Sequence, residues 1–151
     1  RDRATAEIKG SIGLEAQGRA FRNLAKVTHW AGKFEEAERN ARDALRLLPS
    51  DAESRLVLAD CLEKAGHPDA AMEQYTRLFA EGSLDRACQP FGELLAKQGY
   101  ADAAKAYLMQ AVLVSQGRRQ ASAYESLGRL HESLGETKLA RECFENAEKL
   151  Q

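Results

Sequence analysis

The sequence has little of several features that would point to a particular class of protein. Its net charge is −1, because 22 lysine and arginine residues nearly balance 23 aspartate and glutamate residues. This balance excludes a general electrostatic attraction to nucleic acid or to anionic lipid. No apolar run approaches the roughly 20 residues that cross a bilayer, and we expect no signal peptide. We therefore expect no nucleic-acid partner and no direct membrane insertion by this segment.

Cysteine is scarce and carries no recognisable motif. The three cysteines, Cys61, Cys88 and Cys143, are odd in number, lack C-x-x-C spacing and fall on apolar helical positions, so small buried hydrophobic residues are expected. The three histidines are scattered along the chain, and no G-x-S-x-G, H-E-x-x-H or P-loop pattern occurs. We therefore expect no catalytic residue, no cofactor and no metal, and do not expect an enzyme.

The sequence does have an internal repeat with a period near 34 residues. Four glycines at intervals of 34, 33 and 36 residues define it, and we call them the corner glycines: Gly32, Gly66, Gly99 and Gly135. An alanine follows each of them by five residues: Ala37, Ala71, Ala104 and Ala140. Apolar residues on both sides recur at i, i+3 and i+4, which predicts that each glycine ends one helix before another begins.

This pattern closely resembles the tetratricopeptide repeat family. The residues that carry the resemblance are the corner glycines, the alanines after them, the terminator Leu48-Pro49, and four pairs: Leu24-Ala25, Leu58-Ala59, Phe91-Gly92 and Leu127-Gly128. The resemblance implies an all-α fold, a right-handed α-solenoid (the tetratricopeptide superhelix) of four helix-turn-helix repeats plus an N-terminal helix. We expect nine helices and no sheet.

The repeat boundaries follow from the corner glycines. We expect repeats at residues 18–51, 52–84, 85–120 and 121–151, with Ser50 or Asp51 as the N-cap of the second. Residues 1–17, with Ala4, Ile8, Ser11 and Ile12 on one side, form a capping helix or the remnant of an upstream repeat.

Two features of the third repeat are unusual. Pro90 is placed either inside a helix that starts early, with a distorted first turn, or in the first turn of a helix that begins near Cys88, and we favour the early start. The longer third interval is expected to be absorbed by a loop at residues 115–119.

The resemblance also implies a binding surface, because the first helix of each repeat lines the concave groove in this family. The candidate groove residues are Arg19, Arg22, Lys26, His29, Trp30, Leu56, Arg86 and Gln89. The three cations nearest the N-terminus have helical i, i+3, i+7 spacing, which predicts a pocket for a carboxylate or an acidic peptide with Trp30 as its aromatic anchor. The alternative is a solvated charged face with Trp30 tucked into the helix corner.

The expected function is that of a scaffold. The groove would bind a peptide or protein partner, acidic at the N-terminal end, within a bacterial multiprotein assembly such as a secretion, pilus or polysaccharide-export machine. The alternative is a self-assembling structural array that stacks through its open C-terminal end and forms a homo-oligomer through terminal repeats. Because the chain opens at Arg1 without methionine, we expect a segment of a longer protein, for which we favour a cytoplasmic location over a membrane-anchored parent.

Overall fold

The computed structural model describes residues 2–151, except for the side chains of Asp2, Ala4, Thr5, Ala6 and Ile8. Two residues that the sequence places on one side of the N-terminal helix, Ala4 and Ile8, therefore lie outside the described side chains. The described residues form eight α-helices and no strand, which confirms the all-α fold class. The chain divides into two compact units, unit 1 at residues 1–81 and unit 2 at residues 82–151.

Unit 1 contains four helices. They are α1 (Asp2–Trp30), α2 (Phe34–Leu47), α3 (Ala52–Lys64) and α4 (Pro68–Ala80). Helix α1 packs on α2 and on α3, α2 packs on α3, and α3 packs on α4. The crossings are close because the side chains between the helices are small: Ala25, Ala37 and Ala41 are all 0% exposed.

The corner glycines end the first helix of each pair, as predicted. Gly32 has φ +77°, a left-handed conformation that side chains other than glycine rarely adopt. The Lys33 N–H then donates to the Thr28 carbonyl oxygen at 2.9 Å, which satisfies an acceptor at the end of α1. The other three corner glycines have φ of +82°, +84° and +75°.

Unit 2 also contains four helices. They are α5 (Leu84–Lys97), α6 (Ala101–Val114), α7 (Gly117–Ser133) and α8 (Thr137–Lys149). Helix α5 packs on α6 and α7, α6 packs on α7, and α7 packs on α8. Two glycines permit the closest approaches: a Cβ atom at Gly92 would lie 2.7 Å from Leu108 Cγ, and one at Gly128 would lie 2.8 Å from the Phe144 ring.

The helix count is eight rather than the expected nine, because residues 2–17 do not form a separate helix. They continue without a break into α1, which is 29 residues long. Two glycines in this stretch, Gly10 and Gly13, and Gly18 directly after it keep helical backbone angles, since none of them has a positive φ. Without a left-handed residue or a proline, nothing in this segment ends the helix.

The third interval is longer for a different reason than the one expected. Helix α7 begins at Gly117, so the extra residues add a turn to the helix and only Ser115 and Gln116 lie between α6 and α7. The Gln120 side-chain amide donates to the Val112 carbonyl at 3.0 Å and so joins this added turn to α6. Helix α5 begins at Leu84 with Pro90 in its interior, which confirms the early start.

Candidate functional site

In unit 1, the inner sides of α1 and α3 bring oppositely charged side chains together. We call this surface the α1–α3 face; its residues are Arg22, Lys26 and His29 of α1, Asp51 at the start of α3, and Glu53, Leu56 and Asp60 of α3. Arg22 Nη1 lies 3.1 Å from Asp51 Oδ1, Lys26 Nζ lies 3.0 Å from Glu53 Oε2, and His29 Nε2 lies 2.5 Å from Asp60 Oδ2. Half-buried Leu56 lies one turn from both Glu53 and Asp60 on α3.

Asp51 has a structural role within this face. It is the N-cap of α3 and accepts a hydrogen bond from the Ser54 N–H at 3.0 Å. Burial alone would raise the pKa of Asp51, but hydrogen bonds from Ser54 and Arg22 outweigh it and lower the pKa. Asp51 is therefore held as a carboxylate, and Arg22 is bound to the N-cap residue of α3.

Asp60 is held in a similar way at the other end of the face. Its Oδ2 atom lies 2.9 Å from Lys64 Nζ as well as against His29. Burial would raise the pKa of Asp60, but hydrogen bonds from His29 and Lys64 lower it. Each of the three basic side chains of α1 that face α3 or its N-cap thus lies against a carboxylate.

The five N-terminal candidates do not form one pocket. Arg22, Lys26 and His29 meet α3 or its N-cap, whereas Arg19 pairs with Glu15 on α1 itself. The Trp30 side chain is 94% exposed, so it is not tucked into the helix corner. It lies on the outer side of α1, about 100° around the helix from His29.

In unit 2, neutral side chains on the corresponding sides of α5 and α7 form a hydrogen-bond network around one carboxylate. We call this surface the α5–α7 face. Gln89 Nε2 donates to Glu93 Oε1 at 3.0 Å and to Ser122 Oγ at 2.8 Å. Ser126 Oγ donates to Glu93 Oε1 at 2.6 Å. Arg86, the remaining candidate, is exposed one turn before Gln89.

A depression of about 430 Å³ adjoins this network. Polar side chains, including Glu93, Lys97 and Arg129, and apolar ones, including Leu108 and Leu130, line it. A mixed lining of this kind is typical of a surface that takes a side chain of a bound peptide.

Sequence reasoning did not select the partners of the candidate residues, although a signal was present. Arg22 and Asp51 are 29 residues apart, His29 and Asp60 are 31 apart, and Gln89 and Ser122 are 33 apart. These separations are close to one repeat, because equivalent turns of successive first helices lie side by side. Searching 29–33 residues downstream of each candidate, just short of one period, would have found these partners.

The described part of the chain contains no group of three or more His, Cys, Asp or Glu residues that could hold a metal ion. Among the described residues no helix is long and apolar enough to cross a bilayer. The cysteines are buried and free, and burial raises the pKa of the Cys61 thiol to about 11. They pack as the small hydrophobic residues that the sequence predicts.

Comparison with known proteins addresses the fold and the family. Two models described as tetratricopeptide repeat match the sequence, one over residues 31–90 and the other over residues 85–117 and 121–151. No curated protein matches the sequence.

Solved structures of similar fold come from several proteins. The pilF protein of Pseudomonas aeruginosa aligns with a TM-score of 0.84 at 25% identity, over 92% of this chain and 63% of that chain. MamA from Desulfovibrio magneticus RS-1 aligns with a TM-score of 0.72 at 20% identity, over 89% of this chain and 76% of its own. YrrB, described as a TPR protein with an unusual peptide-binding site, aligns with a TM-score of 0.70 at 21% identity, over 89% and 69%. The chain is a protein–protein interaction scaffold and belongs to the tetratricopeptide repeat family.

Proposed function

We propose that the scaffold binds an acidic peptide segment of a protein partner on the α1–α3 face of unit 1. The observation that carries the proposal is the position of Lys26. Its side chain is 51% exposed and pairs with Glu53, which is itself 34% exposed and also lies 3.7 Å from Arg22 Nε. Half-buried Leu56 lies one turn further along α3 and offers an apolar contact beside this pair.

The Lys26–Glu53 pair can be exchanged for a partner at little cost. Ion pairs between solvent-exposed side chains contribute about 0–1 kcal/mol. A carboxylate of a bound peptide can therefore replace Glu53 at the Lys26 ammonium group with almost no loss of stability. Arg22 is bonded to the N-cap Asp51, so a peptide carboxylate that replaced Asp51 at Arg22 would disturb the start of α3. Lys26 therefore contacts the partner, while Arg22 holds the two helices in place.

The comparisons support this proposal at the level of the fold. YrrB has a peptide-binding site on the same fold, so helix pairs of this type can hold a peptide. The pilF protein belongs to a bacterium, which supports the expectation of a bacterial multiprotein assembly such as a secretion, pilus or polysaccharide-export machine. The whole length of that protein exceeds this chain, so the assembly itself is part of the proposal.

A peptide array with acidic, neutral and basic sequences tests the proposal. The wild-type protein is expected to retain acidic peptides that also contain an aliphatic residue, and Lys26→Glu should weaken this binding several-fold. Added salt should weaken the wild type more than the variant, which has already lost the screened attraction. Melting temperatures should be nearly equal because the Lys26 side chain is half exposed.

The matched control is Arg77→Glu, which reverses an exposed cation of α4 that pairs with Glu73 on the same helix, and should leave the retention of acidic peptides unchanged. Equal retention of acidic and basic peptides by the wild type, or equal binding by wild type and Lys26→Glu, would contradict the proposal.

A further inference from the structure

Helix α1 carries an exposed apolar stripe on the side that faces away from α2. Val27 is 64% exposed and Trp30 is 94% exposed, and Ile12 and Leu24 on either edge are 60% and 50% exposed. We call this stripe the α1 seam; its residues are Gly13, Ala16, Ala20, Asn23, Val27 and Trp30. Contiguous exposed apolar surface of this kind marks an interaction site.

The other repeats show what normally happens to these positions. Counted from the corner glycines, Leu24 and Val27 correspond to two residues of α3 and two of α7. Those four are only 1–6% exposed: Leu58, Cys61, Leu127 and Leu130. Helices α3 and α7 each have a preceding helix packed on them, α2 and α6 respectively. The part of the α1 seam around Val27 is therefore a helix-packing surface that no described helix covers.

The spacing of the seam specifies the kind of helix pairing that it suits. Its residues follow each other at intervals of 3, 4, 3, 4 and 3, which is the a/d pattern of a coiled coil. The opposite side of the helix is the packed side, since Ala25 is 0% exposed and Gly18 lies against Leu48. The seam thus faces outward along the whole segment, in a geometry suited to one further helix.

We propose that the occupant of the seam is the α1 helix of a second copy of this chain, in antiparallel orientation. In this register each a position of one copy lies opposite a d position of the other copy, and the two residue numbers add up to 43. Gly13 meets Trp30, Ala16 meets Val27, and Ala20 meets Asn23, so every layer combines a small residue with a larger one. A parallel pair would place Trp30 against Trp30 at one end and Gly13 against Gly13 at the other. The two helices would then be held apart at the tryptophan end and could not pack evenly along the seam.

Charge and area agree with a weak dimer. Arg19 and Lys26 border the seam, but Glu15 and Glu53 already neutralise them, so two copies do not repel each other. The seam is about 26 Å long. At a helix contact width of about 10 Å, two copies bury on the order of 500 Å² in total, which is the size of a weak, transient contact rather than of a stable interface. The dimer should therefore depend on concentration.

The C-terminal helix is less suitable for self-association than α1. Its exposed residues are mostly charged: Lys138, Arg141, Glu142, Glu145, Glu148 and Lys149. Leu139, at 45% exposed, is the one large apolar side chain that α8 exposes. Stacking through this end would bring many charges out of water, whereas pairing through the α1 seam removes apolar surface from it.

Light scattering coupled to size-exclusion chromatography tests the dimer across a range of protein concentrations. The wild type should shift from monomer toward dimer, and Val27→Glu should remain a monomer at every concentration. Leu113→Glu is the matched control, because Leu113 is 76% exposed on α6 and lies outside the seam. A wild type that stays monomeric throughout, or a control that dissociates as fully as Val27→Glu, would overturn the proposal.

Disulfide trapping tests the register. Residues 16 and 27 are about 16 Å apart on one helix, too far for a bond within a chain. The double variant Ala16→Cys/Val27→Cys should form a covalent dimer on mild oxidation, whereas Ala16→Cys alone should not. The native cysteines are buried and do not compete. Efficient dimerisation of the Ala16→Cys variant alone would indicate a parallel pair and refute the antiparallel one.

Discussion

Replacing Asp51 by alanine removes a group on which the start of α3 depends. Asp51 accepts hydrogen bonds from the Ser54 N–H at 3.0 Å and from Arg22 Nη1 at 3.1 Å. Loss of an N-cap costs about 1 kcal/mol. Loss of a charge-assisted hydrogen bond in a partly buried place adds about 1 kcal/mol, since the Arg22 side chain is only 27% exposed. We therefore expect Asp51→Ala to lower the free energy of unfolding by about 2 kcal/mol.

Urea and thermal denaturation followed by circular dichroism measure this loss. For a chain of this length, about 2 kcal/mol corresponds to a fall of about 4–8 °C in the melting temperature. Ser50→Ala is the matched control, because Ser50 is the neighbouring residue of the same turn and makes no cap contact. It should change stability by less than about 0.5 kcal/mol.

The pH dependence separates the charge of Asp51 from a general effect of truncation. Hydrogen bonds lower the pKa of Asp51 in the folded state below its ordinary value of 3.8. The stabilisation is therefore complete above the unfolded-state pKa and is lost as the pH falls through the folded-state pKa. The difference between wild type and Asp51→Ala should be constant near neutral pH and should shrink in acid. A difference that does not change with pH, or a loss no larger than that of Ser50→Ala, would refute the reasoning.

Three further predictions concern packing. Gly92→Ala should destabilise the protein by about 1 kcal/mol or more, because its Cβ would lie 2.7 Å from buried Leu108 Cγ. Gly10→Ala, with open space around the added Cβ atom, should instead stabilise α1 by up to about 1 kcal/mol. Thermal melts in which Gly92→Ala and Gly10→Ala shift the melting temperature in the same direction would contradict this. Ala104→Leu should cost about 1–3 kcal/mol, since Ala104 is 0% exposed; an unchanged melting temperature would mean that the crossing is loose. Cys61 should react with a thiol reagent only on unfolding, because it is 1% exposed and burial raises its pKa to about 11; rapid labelling of the native protein would show that it is accessible.

The fold was predictable from sequence because its determinants are local and repeated. A corner glycine, a following alanine and an apolar i, i+3, i+4 pattern each act within one helix pair, and Ala71, for example, is 0% exposed as its position predicts. The same reasoning failed for residues 2–17, which we expected to form a separate helix; they continue into α1 without a break, and Gly10 and Gly13 keep helical backbone angles. Glycine inside a helix weakens it without ending it unless the next residues supply a left-handed turn.

The candidate site was predictable in part. The cations of α1 were found because they share one side of the helix, but their pairing depends on residues one repeat away. Arg22 is joined to the N-cap Asp51, whereas Lys26 pairs with Glu53 in the body of α3. The α5–α7 face was represented only by Gln89 and Arg86, since serine and glutamate are too common at helix positions for a separation of 33 residues alone to single them out.

The exposure of α1 shows why sequence pattern alone cannot distinguish core from interface. Leu24-Ala25 and Leu58-Ala59 are the same pair at equivalent positions of successive repeats, yet Leu24 is 50% exposed and Leu58 only 3%. The local pattern is identical because both helices are built to pack on a neighbour; the difference is that α3 has α2 in that place. A position that is apolar in every repeat but buried in only some of them therefore marks a surface prepared for a further helix. In this protein that criterion selects Leu24 and Val27, at the edge of the α1 seam and within it, and the pairing of small with large residues along the seam is what favours a second copy as the helix that covers it.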